Sequence, residues 1–190
     1  MAQEIMTGAE LDTLLRRMAE AIVARERDDA PEVGLIGIET RGVPLAKRLA
    51  QHLKALRDRP VEVGALSIRF YRSDLSRIAP QPQVNRIQIP FEIDGRGLIL
   101  VDDVLYTGYT IHTAVAALLE LGQPAFIHLA VLIDRGWRTL PIEADYIGQT
   151  VPTAAHEVVE VKVAEVDGEQ RVLLVNQDEI QARKPGPGLD

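Results

Sequence analysis

The sequence predicts an α/β fold in which a mostly parallel central sheet is flanked by helices. Two observations support this prediction. Short apolar runs without polar alternation, such as LILV at 98–101, are typical of parallel strands that are covered on both faces. These runs alternate along the chain with amphipathic segments of helical period, and strands that alternate with helices assemble into a parallel sheet.

The first half of the chain contains two helices and two strands. Thr7 and Glu10 have the spacing of a capping box, and the apolar period that follows predicts a helix of about 20 residues. The run EVGLIGI predicts a buried strand at 32–38, and an amphipathic helix follows at 42–58. The segment 61–71 begins with period-two alternation, which favours a strand.

Residues 72–97 differ from their surroundings. They contain three prolines among polar residues and show little periodicity. We predict a long loop or extended, flexible arm, because long irregular segments in compact domains are often lids or binding loops. A plain surface hairpin is the alternative.

The second half continues the alternation. After the strand at 98–101, a helix at 111–122 is expected to end at Gly122, and a buried strand is expected at 125–133. Three more strand-like pieces are ADYIG, EVVEVKV and RVLLV. We expect one domain over 1–182 and a disordered tail over 183–190.

The composition excludes several classes of protein. The 190 residues carry a net charge of −7, which is unfavourable for a nucleic-acid binder because phosphates require a basic face. The absence of cysteine excludes disulfides, thiolate metal sites and a cysteine nucleophile. No apolar run is long enough to span a membrane, and the acidic start does not resemble a secretory signal, so a cytoplasmic protein is expected.

The loop YTGYT, which ends at Thr110, has the features of a phosphate-binding site. It lies between a strand and a helix, where free backbone N–H groups and the positive end of the helix dipole favour an anion. Gly108 removes a side chain, and Thr107 and Thr110 add hydroxyl donors. No lysine follows the glycine, so this is not a Walker-type loop.

Asp102 and Asp103 lie at the end of the strand before this loop. Carboxylates do not favour a phosphate, but two adjacent acceptors suit a vicinal diol or a metal. A ribose 5-phosphate satisfies both the loop and the aspartates. A solvated acidic pair beside a capping loop is the alternative.

The segment 98–122 resembles the signature of type I phosphoribosyltransferases, which bind 5-phosphoribosyl 1-pyrophosphate (PRPP). Further segments resemble one family, the pyrimidine operon attenuation regulators (PyrR), which are also uracil phosphoribosyltransferases: GIETRGVPLAKRLA, FYRSDLS, VDDVLYTG, LAVLIDRG and LPIEADYIGQTVPT. The resemblance implies the type I phosphoribosyltransferase fold, with a small hood and a flexible arm.

The resemblance also assigns roles to residues. It implies that Asp102, Asp103, Arg41 and Arg72 are catalytic, with Arg72 on a loop that closes over PRPP; a solvent-facing Arg72 is the alternative. PRPP or UMP would be bound by Thr40, Arg41, Gly42, Asp102, Asp103, Val104, Leu105, Tyr106, Thr107, Gly108, Tyr109 and Thr110. The base would be bound by Ile133, Asp134, Arg135 and Val159.

The implied reaction converts uracil and PRPP to UMP and pyrophosphate. The sequence supplies no dedicated metal site, and Mg²⁺ is expected to arrive on the pyrophosphate of PRPP. The resemblance further implies a homodimer or homotetramer, no membrane contact, and regulation by binding the leader messenger RNA of the pyrimidine operon.

The chain departs from the family at its basic residues. Members typically read RGHRELPIRADYVGKN, and this chain reads RGWRTLPIEADYIGQT. Between 134 and 157 two arginines stand against four carboxylates. We expect weakened RNA binding, with Arg16, Arg17 and Arg138 as the remaining candidates. Tyr109 also replaces an arginine near the phosphate.

Two alternative functions follow from these departures. One is a nucleotide-sensing, RNA-binding regulator with little turnover. The other is a phosphoribosyltransferase for another base, in which Trp137 reshapes the hood.

Overall fold

A six-stranded sheet forms the centre of the computed structural model, which describes residues 2–25, 30–71 and 81–179. Arg72 and the segment 183–190 lie outside these ranges. The elements in chain order are β1 (Gln3–Thr7), α1 (Gly8–Arg25), β2 (Val33–Ile38), α2 (Gly42–Arg57), β3 (Val63–Tyr71), β4 (Gln81–Gln88), β5 (Gly97–Leu105), α3 (Tyr109–Leu121), β6 (Phe126–Asp134), β7 (Tyr146–Thr150), β8 (Glu157–Lys162), α4 (Ala164–Asp167) and β9 (Arg171–Asn176).

The central sheet is mostly parallel, as predicted. Its order is β4-β3-β2-β5-β6-β7, and only the edge strand β4 runs antiparallel to its neighbour. Since β2, β5 and β6 are adjacent and parallel, their carboxyl ends meet at one edge. In such sheets the ligand site lies beyond that edge.

Strand β4 corrects the prediction of a long loop over 72–97. Residues 81–88 form a strand that pairs antiparallel with β3, as the surface-hairpin alternative requires. Period-two alternation is weak here because an edge strand has no need to bury a continuous apolar face.

A second sheet of three antiparallel strands, ordered β1-β9-β8, forms the predicted hood. The sequence did not predict β1 or α4. Both are short, with five and four residues, and too short to show a period. The hood packs on the main core through Met6, Val161 and Val172.

The apolar run at 98–101 explains how the sheet is buried. Ile99 and Val101 pack in one core cluster beneath α1 and α2, and Leu98 and Leu100 pack in another against α3. Successive side chains of a strand point to opposite faces, so a run without polar residues is needed when both faces are covered.

The start of α1 is fixed by the predicted capping box. The Glu10 carboxylate accepts hydrogen bonds from the Thr7 N–H (2.7 Å) and the Thr7 hydroxyl (2.8 Å). The Glu10 N–H donates in turn to Thr7 Oγ1 (3.4 Å). Among the described helices, none is both long and apolar enough to cross a membrane.

Candidate functional site

The site lies where β2, β5 and β6 end. Register pairs Gly37 with Val101, and Leu105 with Asp134. The loops that follow these strands are therefore neighbours, although the chain separates them by dozens of residues. This arrangement brings together Arg41, the Asp102–Asp103 pair and Asp134.

The loop from β2 to α2 lies directly against β5. A side chain at Gly42 would collide with the main-chain carbonyl of Val101 and approach Asp102 Cα. Glycine therefore lets the first turn of α2 contact the strand immediately before the aspartates. Thr40 is exposed beside it, and the peptide bond between Glu39 and Thr40 is cis.

Asp102 and Asp103 are partly buried and fold back on their own backbone. Asp102 Oδ1 accepts a hydrogen bond from the Asp103 N–H (2.9 Å), and Asp103 Oδ1 accepts one from the Val104 N–H (2.8 Å). Burial, with the charge of Asp103, raises the pKa of Asp102 well above its ordinary value.

Burial also raises the pKa of Asp103, although the hydrogen bond with Asp102 and the charge of Arg41 oppose the increase. The pair therefore resists holding two full negative charges. Hydroxyl donors or a cation would relieve this repulsion, so the pair is suited to bind such a ligand.

Arg41 is held by Asp167, which lies on α4 between the hood strands β8 and β9. Its Nε donates to Asp167 Oδ2 (3.0 Å) and its Nη2 to Asp167 Oδ1 (2.8 Å). Sequence reasoning missed Asp167, because its partner lies 126 residues away and the pairing depends on the fold. Arg41 thus lies between the Asp167 carboxylate and the Asp103 charge.

The loop after β5 is the loop that the sequence predicts to bind an anion. Gly108 precedes α3 with φ 94°, and an added Cβ would meet Ile142 and Leu140 at 3.2–3.4 Å. Glycine is therefore needed for both conformation and space. The first N–H groups of α3 have no helical acceptor and are available to an anion.

The side chains around this loop divide into two groups. Thr107 and Thr110 are partly exposed, and Tyr106 and Tyr109 are 42% and 43% exposed. The Val104 and Leu105 side chains pack in the two cores, which leaves only their backbone groups for a ligand.

The segment after β6 stabilises the loop after β5 by hydrogen bonds. The N–H groups of Thr139 and Leu140 both donate to the Thr107 carbonyl (3.0 and 3.1 Å). Arg138 Nη1 donates to the Tyr106 carbonyl (2.8 Å), and its Nη2 donates to Asp134 Oδ2 (2.6 Å). Arg138 is therefore a structural clamp, a role that the sequence did not predict.

Asp134 is fixed by this clamp. Its Oδ1 accepts a hydrogen bond from the Gly136 N–H (2.9 Å). Burial alone would raise its pKa, but the bonds from Arg138 and Gly136 outweigh burial and the pKa lies below the ordinary value. Asp134 is thus an ionised anchor for the loop at neutral pH.

Arg135 is buried, with 5% exposure. Its Nε donates to Thr153 Oγ1 (3.1 Å) and its Nη2 to the Glu157 carbonyl (2.6 Å). The guanidinium lies 4.1 Å from the centre of the Tyr106 ring. This cation–π contact fixes the face of Tyr106 next to the anion loop.

Two of the residues predicted to bind the base have buried side chains. Ile133 and Val159 are 0% and 6% exposed and belong to the main core. Their side chains therefore contact the core, and only their backbone groups can reach a base. Val158 is the partly exposed neighbour on β8.

The basic residues predicted for RNA are not equivalent. Arg16 and Arg17 are exposed on α1, and Arg17 borders a cleft of about 280 Å³ beside Asp145 and Tyr146. Arg138 is already engaged by Asp134 and main-chain carbonyls. Trp137 is 53% exposed, and its indole N–H donates to the Thr153 carbonyl (2.7 Å).

Within residues 2–25, 30–71 and 81–179, no group of three or more potential metal ligands comes together. The Asp102–Asp103 pair offers carboxylate oxygens, which are ligands that Mg²⁺ accepts. Two carboxylates beside an anion site fit a Mg²⁺ ion that keeps most of its ligands from substrate phosphates and water.

Comparisons with known proteins agree with this geometry. The family described as "Phosphoribosyl transferase domain" matches residues 3–165. "Bifunctional protein PyrR" from Thermus aquaticus is 49% identical over 171 residues, covering 90% of this chain and 94% of the relative. The protein of the same name from Deinococcus radiodurans is 48% identical over 177 residues, covering 93% and 96%.

Solved structures share the fold. A hypoxanthine phosphoribosyltransferase from Staphylococcus aureus superposes with a TM-score of 0.72 at 15% identity, covering 94% of this chain and 92% of that chain. A mutant hypoxanthine phosphoribosyltransferase from Trypanosoma cruzi, in a ternary substrates complex, superposes with a TM-score of 0.71 at 21% identity, covering 94% of this chain and 96% of that chain. At these identities the likeness concerns the fold alone.

Proposed function

Because the chain belongs to the phosphoribosyltransferase family and, within it, to the PyrR proteins, we propose that it is a uracil phosphoribosyltransferase that converts uracil and PRPP to UMP and pyrophosphate. The observation that carries the proposal is the meeting of three features at one sheet edge. These are Arg41, the Asp102–Asp103 pair and the anion loop before α3.

Each feature matches one part of PRPP. The 5-phosphate binds the N–H groups at the start of α3 and the hydroxyls of Thr107 and Thr110. The ribose hydroxyls donate to Asp102 and Asp103, whose mutual repulsion these donors relieve. The pyrophosphate meets Arg41 and the backbone N–H groups at the start of α2.

The chain catalyses the transfer mainly by positioning and electrostatics. The sugar passes through a state with oxocarbenium character, and partly buried carboxylates below it stabilise that positive charge. Arg41 stabilises the charge that develops on the departing pyrophosphate. Asp102 and Asp103 would hold a Mg²⁺ ion, which when bound would neutralise further charge on the pyrophosphate.

The base binds next to the segment after β6. Asp134 and Arg135 are fixed by Arg138, Thr153 and Glu157, so their backbone groups present a rigid edge to uracil. Tyr106, backed by Arg135, offers an aromatic face beside the sugar site.

The second activity of the family is transcription attenuation by binding messenger RNA, and we assign it to this chain in weakened form. Of the three exposed arginines on α1, Arg25 donates to Asp145 Oδ1 (2.8 Å), and Arg16 and Arg17 are the remaining candidates. Arg138 is tied to Asp134, and Glu143 adds a negative charge on the same segment. Fewer free cations lower RNA affinity and its dependence on salt.

One assay tests the enzyme proposal. Purified protein is mixed with PRPP, Mg²⁺ and uracil, and UMP is measured beside parallel reactions with guanine, hypoxanthine and xanthine. We expect UMP to be the main nucleotide formed. No UMP at any enzyme concentration, or a purine nucleotide formed faster, would overturn the proposal.

Filter binding tests the regulatory proposal. A pyrimidine-operon leader RNA and a random RNA of equal length are titrated at several salt concentrations. We expect tighter binding of the leader than of the random RNA. Equal binding of both RNAs at every salt concentration would remove the regulatory role and leave the enzyme alone.

A further inference from the structure

The hood contacts the predicted pyrophosphate loop through one ion pair. Arg41 uses Nε and Nη2 for two parallel bonds to the Asp167 carboxylate, at 3.0 and 2.8 Å. Two parallel, charge-assisted bonds of this kind hold a guanidinium strongly and in a defined orientation. It leaves the Nη1 end of Arg41 pointing away from Asp167.

Asp167 is itself held firmly. Its Oδ2 also accepts a hydrogen bond from the Val163 N–H (2.9 Å), and Lys162 Nζ lies 3.7 Å from Oδ1. The side chain is only 10% exposed. Asp167 therefore provides a fixed anchor for Arg41.

A second ion pair fixes the short helix α4 that carries Asp167. Arg48 of α2 donates from Nε and Nη2 to the two oxygens of Glu165, at 2.8 and 2.6 Å. Thus α4 is attached at two points, to Arg41 just before α2 and to Arg48 within α2. The second point offers a matched control for the first.

From this geometry we propose that Asp167 is a positioning residue, which holds the Arg41 guanidinium at the pyrophosphate subsite. The inference rests on the proposed function, since it concerns PRPP and pyrophosphate. A free arginine must lose side-chain freedom when it binds an anion. Asp167 orders the Arg41 side chain before the ligand binds, so binding loses less side-chain entropy.

If Asp167 competed with the ligand for Arg41, its removal would change pyrophosphate affinity in the opposite direction. A carboxylate beside Arg41 also neutralises part of its charge and repels an anion. If Asp167 acted mainly as a competitor for Arg41, its removal would tighten pyrophosphate binding. If it acts by positioning, removal weakens binding. The direction of change therefore decides between the two roles.

The test compares Asp167→Asn with Glu165→Gln, each of which removes one carboxylate charge from α4. Calorimetry measures binding of PRPP, pyrophosphate and UMP. We expect Asp167→Asn to weaken the binding of PRPP and pyrophosphate about tenfold, because an arginine that is no longer held in place must be ordered when the anion binds. UMP lacks pyrophosphate, so its affinity should change less than about twofold, and Glu165→Gln should leave all three affinities unchanged.

Several outcomes would overturn the inference. They are unchanged or tighter PRPP binding in Asp167→Asn, and an equal loss for PRPP and UMP, which indicates general disruption. In an Arg41→Ala background, Asp167→Asn should have no further effect on PRPP; a full additional loss would also overturn it. Wild-type protein that binds no PRPP contradicts the proposed function instead.

A second variant serves if Asp167→Asn does not fold. Asp167→Glu keeps the charge but lengthens the side chain, and so displaces Arg41. It should lose PRPP and pyrophosphate affinity selectively. Unchanged PRPP affinity in this variant would contradict positioning and leave charge alone as the role of the residue.

Discussion

The guanidinium of Arg138 lies 2.6 Å from the carboxylate of Asp134 and joins the ends of two neighbouring strands. The same side chain donates to the Tyr106 carbonyl at 2.8 Å and to the Ile142 carbonyl at 2.9 Å. Arg138 therefore connects the segment after β6 to the loop after β5, and its loss should disturb both.

Replacing Arg138 should impair the enzyme more than RNA binding. Arg138→Ala removes the donors to the Tyr106 and Ile142 carbonyls and leaves Asp134 with the Gly136 N–H but no cation beside it. We therefore expect unfolding to be easier by about 2 kcal/mol. Steady-state kinetics should show kcat/KM for PRPP reduced by about tenfold or more. Arg138→Lys should rescue little, because an ammonium cannot reproduce the forked contacts.

The control for this prediction is Arg16→Ala on α1, which should leave UMP formation unchanged. Normal kinetics for Arg138→Ala combined with a loss of RNA binding would instead assign Arg138 to the RNA surface.

Asp102→Asn should make the protein more stable and less active. Folding raises the pKa of Asp102, mainly by burial. Such a group favours the folded state at low pH and loses that contribution as the pH rises through the raised pKa. At pH 7 the Asn variant should therefore unfold at a higher urea concentration than the wild type, and this advantage should shrink on acidification.

Asp103→Asn should weaken PRPP binding. Lower stability of Asp102→Asn at pH 7, or an advantage that does not change with pH, would contradict the raised pKa of Asp102.

The ion pair of Asp167 should give stability the opposite pH dependence. Its hydrogen bonds from Arg41 lower the pKa of Asp167 to about 2. A lowered pKa stabilises the folded state above the ordinary value of 3.8, and this stabilisation is lost as the pH falls towards 2. At pH 7, Asp167→Asn should cost about 1 to 2 kcal/mol after allowance for solvent screening.

Chemical denaturation at a series of pH values measures this effect. The difference between wild type and Asp167→Asn should narrow below pH 4, whereas a constant difference would mean that packing, not charge, is the source.

Tyr109→Arg should strengthen phosphate binding. Tyr109 is 43% exposed at the first residue of α3, where a side chain can reach an anion held by the helix amides. We expect UMP affinity to rise about threefold at low salt and to lose the gain at high salt. Gln123→Arg, which adds the same charge just beyond the far end of α3, should change UMP affinity little; an equal gain would indicate a general charge effect.

Much of the framework follows from local sequence. The capping box at Thr7, the LILV run and the helix at 42–57 are short-range patterns, and the structure has each element close to the predicted bounds. The Asp102–Asp103 pair and Gly108 also lie at a strand end and a helix start, as predicted.

The remaining features depend on contacts between distant segments. Asp167 becomes a candidate only because the fold brings its carboxylate to Arg41. The resemblance assigns Arg138 to RNA as a remaining basic residue, and the sequence does not show that Asp134 already binds it. Strand β4 has a weak pattern because it pairs along one edge only. Such features are set by the assembled fold, and no local period encodes them.

The order of strands in the hood has a consequence for synthesis of the chain. Strand β9 lies between β1 and β8, although β1 is made first and β9 last of the three. While the ribosome is still translating, β1 has to wait for residues 171–176 before its hydrogen bonds in this sheet can form. The central sheet, complete by residue 150, is available earlier. In a nascent chain, the loops after β2 and β5 can thus form before Asp167 reaches Arg41.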